Sequence, residues 1–303
     1  MGLLALLVSL PSAPGWAEGV GVVKTAEISI FDRAVKAFEK ELGGSVHEAS
    51  LDSDRGRWPK VSEQLKKKEV DVWVPLGPLA LEMTSQANTE QPVVFMMVFN
   101  PAKSLPASSK NVAGVTMRVS VDVQLEEIRR LLPDRKKVGV IHDPTIATSA
   151  ADVARAREIA PGLGLEVLVK SIGDSTELGS ALNGLLADGI DVLWLVVDRT
   201  VTPPRDSRPF EFITETTGKA GVPIVGYAPR LAKAGALLAL GPDYDDIGAQ
   251  AAEIVTQVQA GTAPADIGVQ NARKFALSVN QKVAKTLGIT LAKKDLADAE
   301  IFN

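Results

Sequence analysis

Cysteine is absent from the 303 residues. Disulfides, thiol nucleophiles, zinc–thiolate sites and iron–sulfur clusters are therefore excluded together. Histidine occurs twice, as His47 and His142. A two-histidine metal site would consume both. His47-Glu48 lacks the second histidine of a metalloprotease helix and sits in a strand-like run. No Gly-rich dinucleotide fingerprint, phosphate-binding P-loop or Gly-x-Ser-x-Gly elbow occurs. No paired carboxylates suited to acid–base work stand out. Asp243, Asp245 and Asp246 cluster at a predicted helix start, where capping is their first duty. Neither a catalytic constellation nor a cofactor is expected. Lys and Arg are scattered and the net charge is −4, so no clustered basic face points to nucleic acid.

No apolar run is long enough to span a bilayer, which takes about 20 residues. The run Leu3–Leu10 is followed by Pro11-Ser12-Ala13-Pro14 and by the small-residue site Gly15-Trp16-Ala17. This pattern is that of a secretory signal cut after Ala17, although no charge precedes Glu18. Without a cysteine after the apolar run, a lipid anchor is excluded. The expected location is the periplasm.

The rest is ordinary globular composition, 46% hydrophobic and 23% charged, with enough chain for two domains. Short apolar runs alternate with amphipathic stretches. Eleven runs read as strands: 19–23, 46–51, 70–75, 92–99, 112–117, 138–141, 165–170, 192–197, 222–227, 236–240 and 275–279. Several are rich in Val and Ile and bounded by Gly, Pro or Asp, as buried parallel strands are. Helical stripes lie between them, such as Phe31, Val35, Phe38 and Leu42, or Leu125, Ile128, Leu131 and Leu132. Such alternation predicts an α/β protein built from βαβ units with parallel sheets. Eleven strands are too many for one small sheet, so two are expected. The second unit restarts at Lys137-Val-Gly-Val-Ile141, which echoes Gly19-Val-Gly-Val-Val23.

Six predicted strands end in mixed polar, small and aromatic residues. These are Lys24-Thr25-Ala26-Glu27, Leu76-Gly77-Pro78, Phe99-Asn100-Pro101, His142-Asp143-Pro144, Asp198-Arg199-Thr200 and Tyr227-Ala228-Pro229. Ligands bind at carboxyl strand ends in open α/β sheets. Two such edges facing each other form a binding cleft that needs no nucleophile.

The C-terminal third carries a family pattern. Ala234-Gly-Ala-Leu-Leu-Ala-Leu-Gly-Pro-Asp-Tyr-Asp-Asp-Ile-Gly248, Gly261-Thr-Ala-Pro-Ala-Asp-Ile267 and Leu277-Ser-Val-Asn-Gln-Lys-Val-Ala-Lys-Thr-Leu-Gly-Ile289 resemble blocks of the ABC-transporter substrate-binding proteins. The branch is the one that includes tryptophan- and tyrosine-binding members. Asn111–Thr116, Asp191–Leu195 and Gly221–Gly226 are similar to further blocks. The loop Lys24–Ile28 and the stretch Ala102–Pro106 depart from the family pattern.

The resemblance implies the type I periplasmic-binding-protein fold: two Rossmann-like lobes joined by three crossovers, with a small ligand between them. The expected division is a leader over 1–17, a first lobe over 18–118 rejoined by 237–267, and a second lobe over 119–236 completed by 268–303. The implied function is capture of an amino acid or similar small polar metabolite for an ABC permease, by a monomer without enzymatic activity. A sensor of the same fold that signals to a membrane receptor is the alternative, and an enzyme of unassigned type the second. The expected ligand-binding residues are Thr25, Ala26, Gly77, Asn100, His142, Asp198, Tyr227 and Asp243. In that reading Asp198 meets a ligand amine and Tyr227 its apolar body. Asn100 approaches from the opposite lobe, and the Thr25–Ala26 amides or the helix start after Gly77 take a carboxylate.

Overall fold

The computed structural model describes residues 19–87, 90–106 and 109–303. The expected leader lies outside the described residues.

The first sheet has the order β11-β5-β4-β3-β1-β2 and is parallel throughout. Its strands are β1 (Val20–Lys24), β2 (His47–Ser50), β3 (Val72–Leu76), β4 (Val93–Val98), β5 (Val112–Val119) and β11 (Val269–Ala272). The second sheet has the order β13-β12-β10-β9-β8-β6-β7. It contains β6 (Lys137–His142), β7 (Glu166–Ser171), β8 (Val192–Trp194), β9 (Ile224–Gly226), β10 (Leu238–Pro242), β12 (Phe275–Asn280) and β13 (Glu300–Phe302). Among the described residues only the β10–β12 pair is antiparallel. The fold is thus the expected α/β arrangement of two largely parallel sheets.

Both faces of each sheet are covered, as parallel sheets require. On the first, α1 (Ser29–Leu42) and α9 (Tyr244–Gln259) pack on one face, while α2 (Trp58–Lys66) and α3 (Pro78–Ala87) cover the other. On the second, α4 (Val121–Leu131), α5 (Ala147–Ile159) and α11 (Gln281–Thr286) oppose α6 (Leu178–Ala187), α7 (Arg208–Lys219) and α8 (Pro229–Lys233). A short α10 (Pro264–Ile267) leads into β11. The α1 stripe Phe31, Ala34, Val35 and Phe38 is buried against Ile247, Ala251, Ile254 and Val255 of α9. Gly248 allows that approach, because a Cβ there would sit 2.1 Å from the carbonyl oxygen of Ala34. Two fully buried tryptophans keep their indole N–H groups bonded, Trp73 to Gln91 and Trp194 to Gln124.

Three connections join the sheets. The first runs from β5 to α4 through Ser120, whose hydroxyl caps α4 by accepting from the Val123 amide. The second leaves β10 after Pro242 and enters α9 at Asp243. The third is Arg273-Lys274 between β11 and β12. They lie side by side: Val119 pairs with Ala272, Pro242 with Phe275, and the Asp243 amide donates to the Lys274 carbonyl at 3.3 Å. Arg273 and Lys274 both reach the buried Asp246 on α9, at 3.1 and 3.0 Å.

Two boundaries differ from the sequence reading. Residues 238–242, expected in the first lobe, pair in the second sheet, so the chain crosses after Pro242. Residues 269–272, expected in the second lobe, form an edge strand of the first sheet. In both places the apolar signal marks a strand without marking its partner, and pairing depends on residues far away in sequence.

Candidate functional site

The carboxyl ends of β4, β5, β6 and β8 converge between the lobes. A cavity of about 360 Å³ opens there. Phe99, Asn100, Lys103 and Arg118 line it from the first lobe, and Thr145, Ile146, Ala147, Thr148, Val197 and Arg199 from the second. Two further cavities of similar size each lie within one lobe. One is bounded by Glu27, Glu48, Asp52 and Arg57, the other by Thr214, Thr217, Lys233 and Lys282.

A bulge aims the first-lobe side of the cleft. The β4–β5 register shifts between Met96 and Val98, and Met97 has a left-handed φ of 62°. The chain then delivers Phe99 to the cavity wall with 42% of its surface exposed, and Asn100 beside it. Across the cleft, α5 starts without a side-chain cap, because its N-cap residue is Ile146. Its first-turn amides have no intrahelical acceptor, and Ile146, Ala147 and Thr148 line the cavity.

A buried polar network shapes the second-lobe side. Asp198 is 1% exposed. One of its carboxylate oxygens accepts from the Asp143 amide at 2.8 Å, the other from the amides of Thr200 and Val201 at 2.9 and 3.3 Å. The Asp143 carboxylate accepts from the amide and hydroxyl of Thr145 and from the Thr200 hydroxyl. These Thr145 bonds, then the Thr200 bond and the nearby Arg199 charge, hold its carboxyl below the usual range. The two carboxylates therefore tie the β6 and β8 loops together.

One charge pair crosses between the lobes at the cavity edge. Arg118 of β5 meets Asp152 of α5, and both side chains are mostly buried. Burial raises the Asp152 carboxyl above its ordinary value, with the Arg118 charge opposing the rise. Lys103 and Arg199, also on the lining, have no ion-pair or hydrogen-bond partner for their side chains among the described residues.

Of the residues expected to bind, Asn100 lines the cavity. Asp198 faces backbone amides rather than the cavity. The Thr25 hydroxyl accepts from the Ala80 amide in the first turn of α3, and the Thr25 amide donates to Leu76. Gly77 packs under that turn with φ 81°, where a Cβ would meet Phe31 and Thr25 at 2.8 Å. Ala26 is half-buried in the same loop. Beside this loop the buried Lys24 holds Glu27, Asp32 and Glu48. Burial lowers the Lys24 pKa, but the bonds to Glu27 and Glu48 outweigh it, and the ammonium sits above its ordinary value. His142 ends β6 below the cleft, 6% exposed, with Nε2 3.4 Å from the Ser171 hydroxyl and Nδ1 unpartnered. The Tyr227 hydroxyl meets Thr202 at 3.0 Å and accepts from Arg230 at 2.8 Å. Asp243 caps α9 by accepting from the amides of Asp245 and Asp246. The sequence reading missed Phe99, Lys103, Arg118, Thr145–Thr148, Val197 and Arg199. Phe99 and Arg199 stand in loops it had singled out.

Comparison with known proteins agrees with this architecture. A tyrosine-binding protein of Clostridioides difficile is 24% identical over 292 residues, covering 92% of this chain and 83% of that protein. The ligand-free, open structure of a Clostridium difficile substrate-binding protein with adhesive properties superposes with a TM-score of 0.72. It is 19% identical and covers 94% of this chain and 99% of that one. A Streptococcus ABC domain in complex with L-Trp superposes with a TM-score of 0.56 at 22% identity, covering 94% and 99%. The family model described as ABC transporter substrate binding protein matches residues 45–301. The family is one of binding proteins rather than enzymes, and this chain belongs to the ABC transporter substrate-binding protein family.

Proposed function

We propose that the chain is the extracytoplasmic capture component of an ABC importer. It clamps a small polar metabolite, about the size of an aromatic amino acid, between its lobes and delivers it to a membrane permease. The observation that carries this reading is the cavity of about 360 Å³ with walls from both lobes at the carboxyl ends of their strands. That volume is at the small end of ligand sites. Phe99 offers a ring face, and Asn100 a donor and an acceptor. The relatives named for tyrosine and in complex with L-Trp support a ligand of this size.

A ligand that touches both lobes favours the closed arrangement by its differential affinity for it. The three adjacent crossovers are the proposed hinge. In this reading the residues divide their labour. Asn100 and the cavity lining contact ligand, whereas Thr25, Ala26, Gly77, His142, Asp198, Tyr227 and Asp243 fix the loops that present it. The exported protein starts at Glu18, acts in the periplasm and is a monomer in this reading. Among the described residues no helix is long and apolar enough to cross a membrane.

Small-angle scattering with a compound that raises the melting temperature tests the clamp. The radius of gyration should fall on saturation, and Asn100→Ala should weaken binding without changing the unliganded melting temperature. A saturating ligand whose affinity ignores both Asn100→Ala and Phe99→Ala would overturn the cleft assignment. N-terminal sequencing of the exported protein tests the start at Glu18.

A further inference from the structure

The charges around the cleft are unequal in their freedom. Among the described residues no Asp or Glu lines the interlobe cavity, whereas Lys103, Arg118 and Arg199 do. Arg118 is neutralised by Asp152. Lys103 and Arg199 are left without partners among the described residues, and they come from opposite lobes. Of the carboxylates beside the wall, Asp152 is taken up by Arg118, and Asp143 and Asp198 are at most 6% exposed with oxygens that already accept from amides and hydroxyls.

We propose that the ligand of this cleft is a net anion, a carboxylate or phosphate compound without a balancing ammonium, held by Lys103 and Arg199 from opposite lobes. This rests on the cleft reading above. A zwitterion brings an ammonium for which the lining has no carboxylate, and desolvating that ammonium unpaired is costly. An anion instead meets two cations without a direct ion-pair partner among the described residues, Arg199 acting on the buried Asp143 only at longer range, with the open first turn of α5 as a third source of positive potential. Closure without ligand moves two like charges toward each other. Closure around an anion places the opposite charge between them, so the clamp responds to ligand charge as well as to shape.

Isothermal titration of the intact protein with three matched pairs of compounds tests the proposal. The pairs are 3-phenylpropanoate with L-phenylalanine, 3-(4-hydroxyphenyl)propanoate with L-tyrosine, and 3-(indol-3-yl)propanoate with L-tryptophan. Members of a pair differ only in the amine. The anion of at least one pair should bind about tenfold or more tightly than its amino acid, the scale of a charged hydrogen bond. Arg199→Gln and Lys103→Gln should each lower that affinity by a similar factor and flatten its salt dependence. An amino acid that binds as tightly as its desamino partner, or tighter, overturns the proposal. If none of the six binds, the same rule applies to a wider set of dicarboxylates, sugar phosphates, neutral sugars and polyamines: a neutral or cationic binder overturns it. Such a binder that still depends on Asn100 and Phe99 leaves the cleft reading intact. Binding of no compound in either set overturns both.

Discussion

Arg118, next to the last residue of β5 before the first crossover, forms an ion pair with Asp152 of α5 in the opposite lobe. The pair sits at the edge of the cavity and removes one of three cations from its lining. Asp152→Asn should therefore have two effects of opposite sign. Stability should fall by about 3 kcal/mol, because a mostly buried guanidinium loses its counter-charge. Affinity for an anionic ligand should rise, since Arg118 becomes available to it. Urea unfolding and calorimetric titration read the two effects separately, and a loss of both stability and affinity would contradict this account of the pair.

Asp198 differs from the ligand grip expected of it. Its carboxylate takes three backbone amides from the β6 and β8 loops. Asp198→Ala should lower stability by about 3 kcal/mol or more, since it leaves those buried donors unsatisfied. Binding should decline as the loops slacken. A normally stable Asp198→Ala protein with abolished binding would return this carboxylate to direct ligand contact.

His142 makes stability depend on pH. Burial holds its pKa below the ordinary 6.5, with the Asp198 charge opposing the shift. Above pH 6.5 the imidazole is neutral in folded and unfolded chains alike. As pH falls through 6.5 the unfolded chain takes up a proton that the folded one refuses, so stability falls down to the lowered folded value. The melting temperature should drop more steeply below pH 6.5 for the native protein than for His142→Gln. Parallel curves would exclude His142 as the source.

Gly248 sets the distance between α1 and α9. Gly248→Ala should cost about 2–3 kcal/mol, because its methyl group would overlap the Ala34 carbonyl and the helices must separate. Chemical denaturation with an unchanged midpoint would show that the helices give way freely.

The strands and the two-sheet plan were legible because buried parallel strands write themselves as apolar runs bounded by turns. The edge strands β11 and β13 were not, since Val269–Ala272 places two polar residues among only four and buries just Ala272, and Glu300–Phe302 has only three residues. The capping duty of Asp243 followed from its place before a helical stripe. The site was legible as loops, not as side chains. Phe99-Asn100 and Asp198-Arg199-Thr200 were recognised as strand ends. Which member of each faces the cavity depends on the bulge at Met97 and on the amides that capture Asp198. Both are outcomes of tertiary packing with no periodic signature. Arg118 and Lys103 lie outside the strand-end loops that the sequence brought forward.

A crystal structure of the protein with the compound that raises its melting temperature most tests the central claim directly. The account predicts that compound between the lobes, against Phe99 and within hydrogen-bond distance of Asn100, with its anionic group between Lys103 and Arg199. A compound seated on one lobe alone, or in the cavity beside Thr214, Lys233 and Lys282, would contradict it.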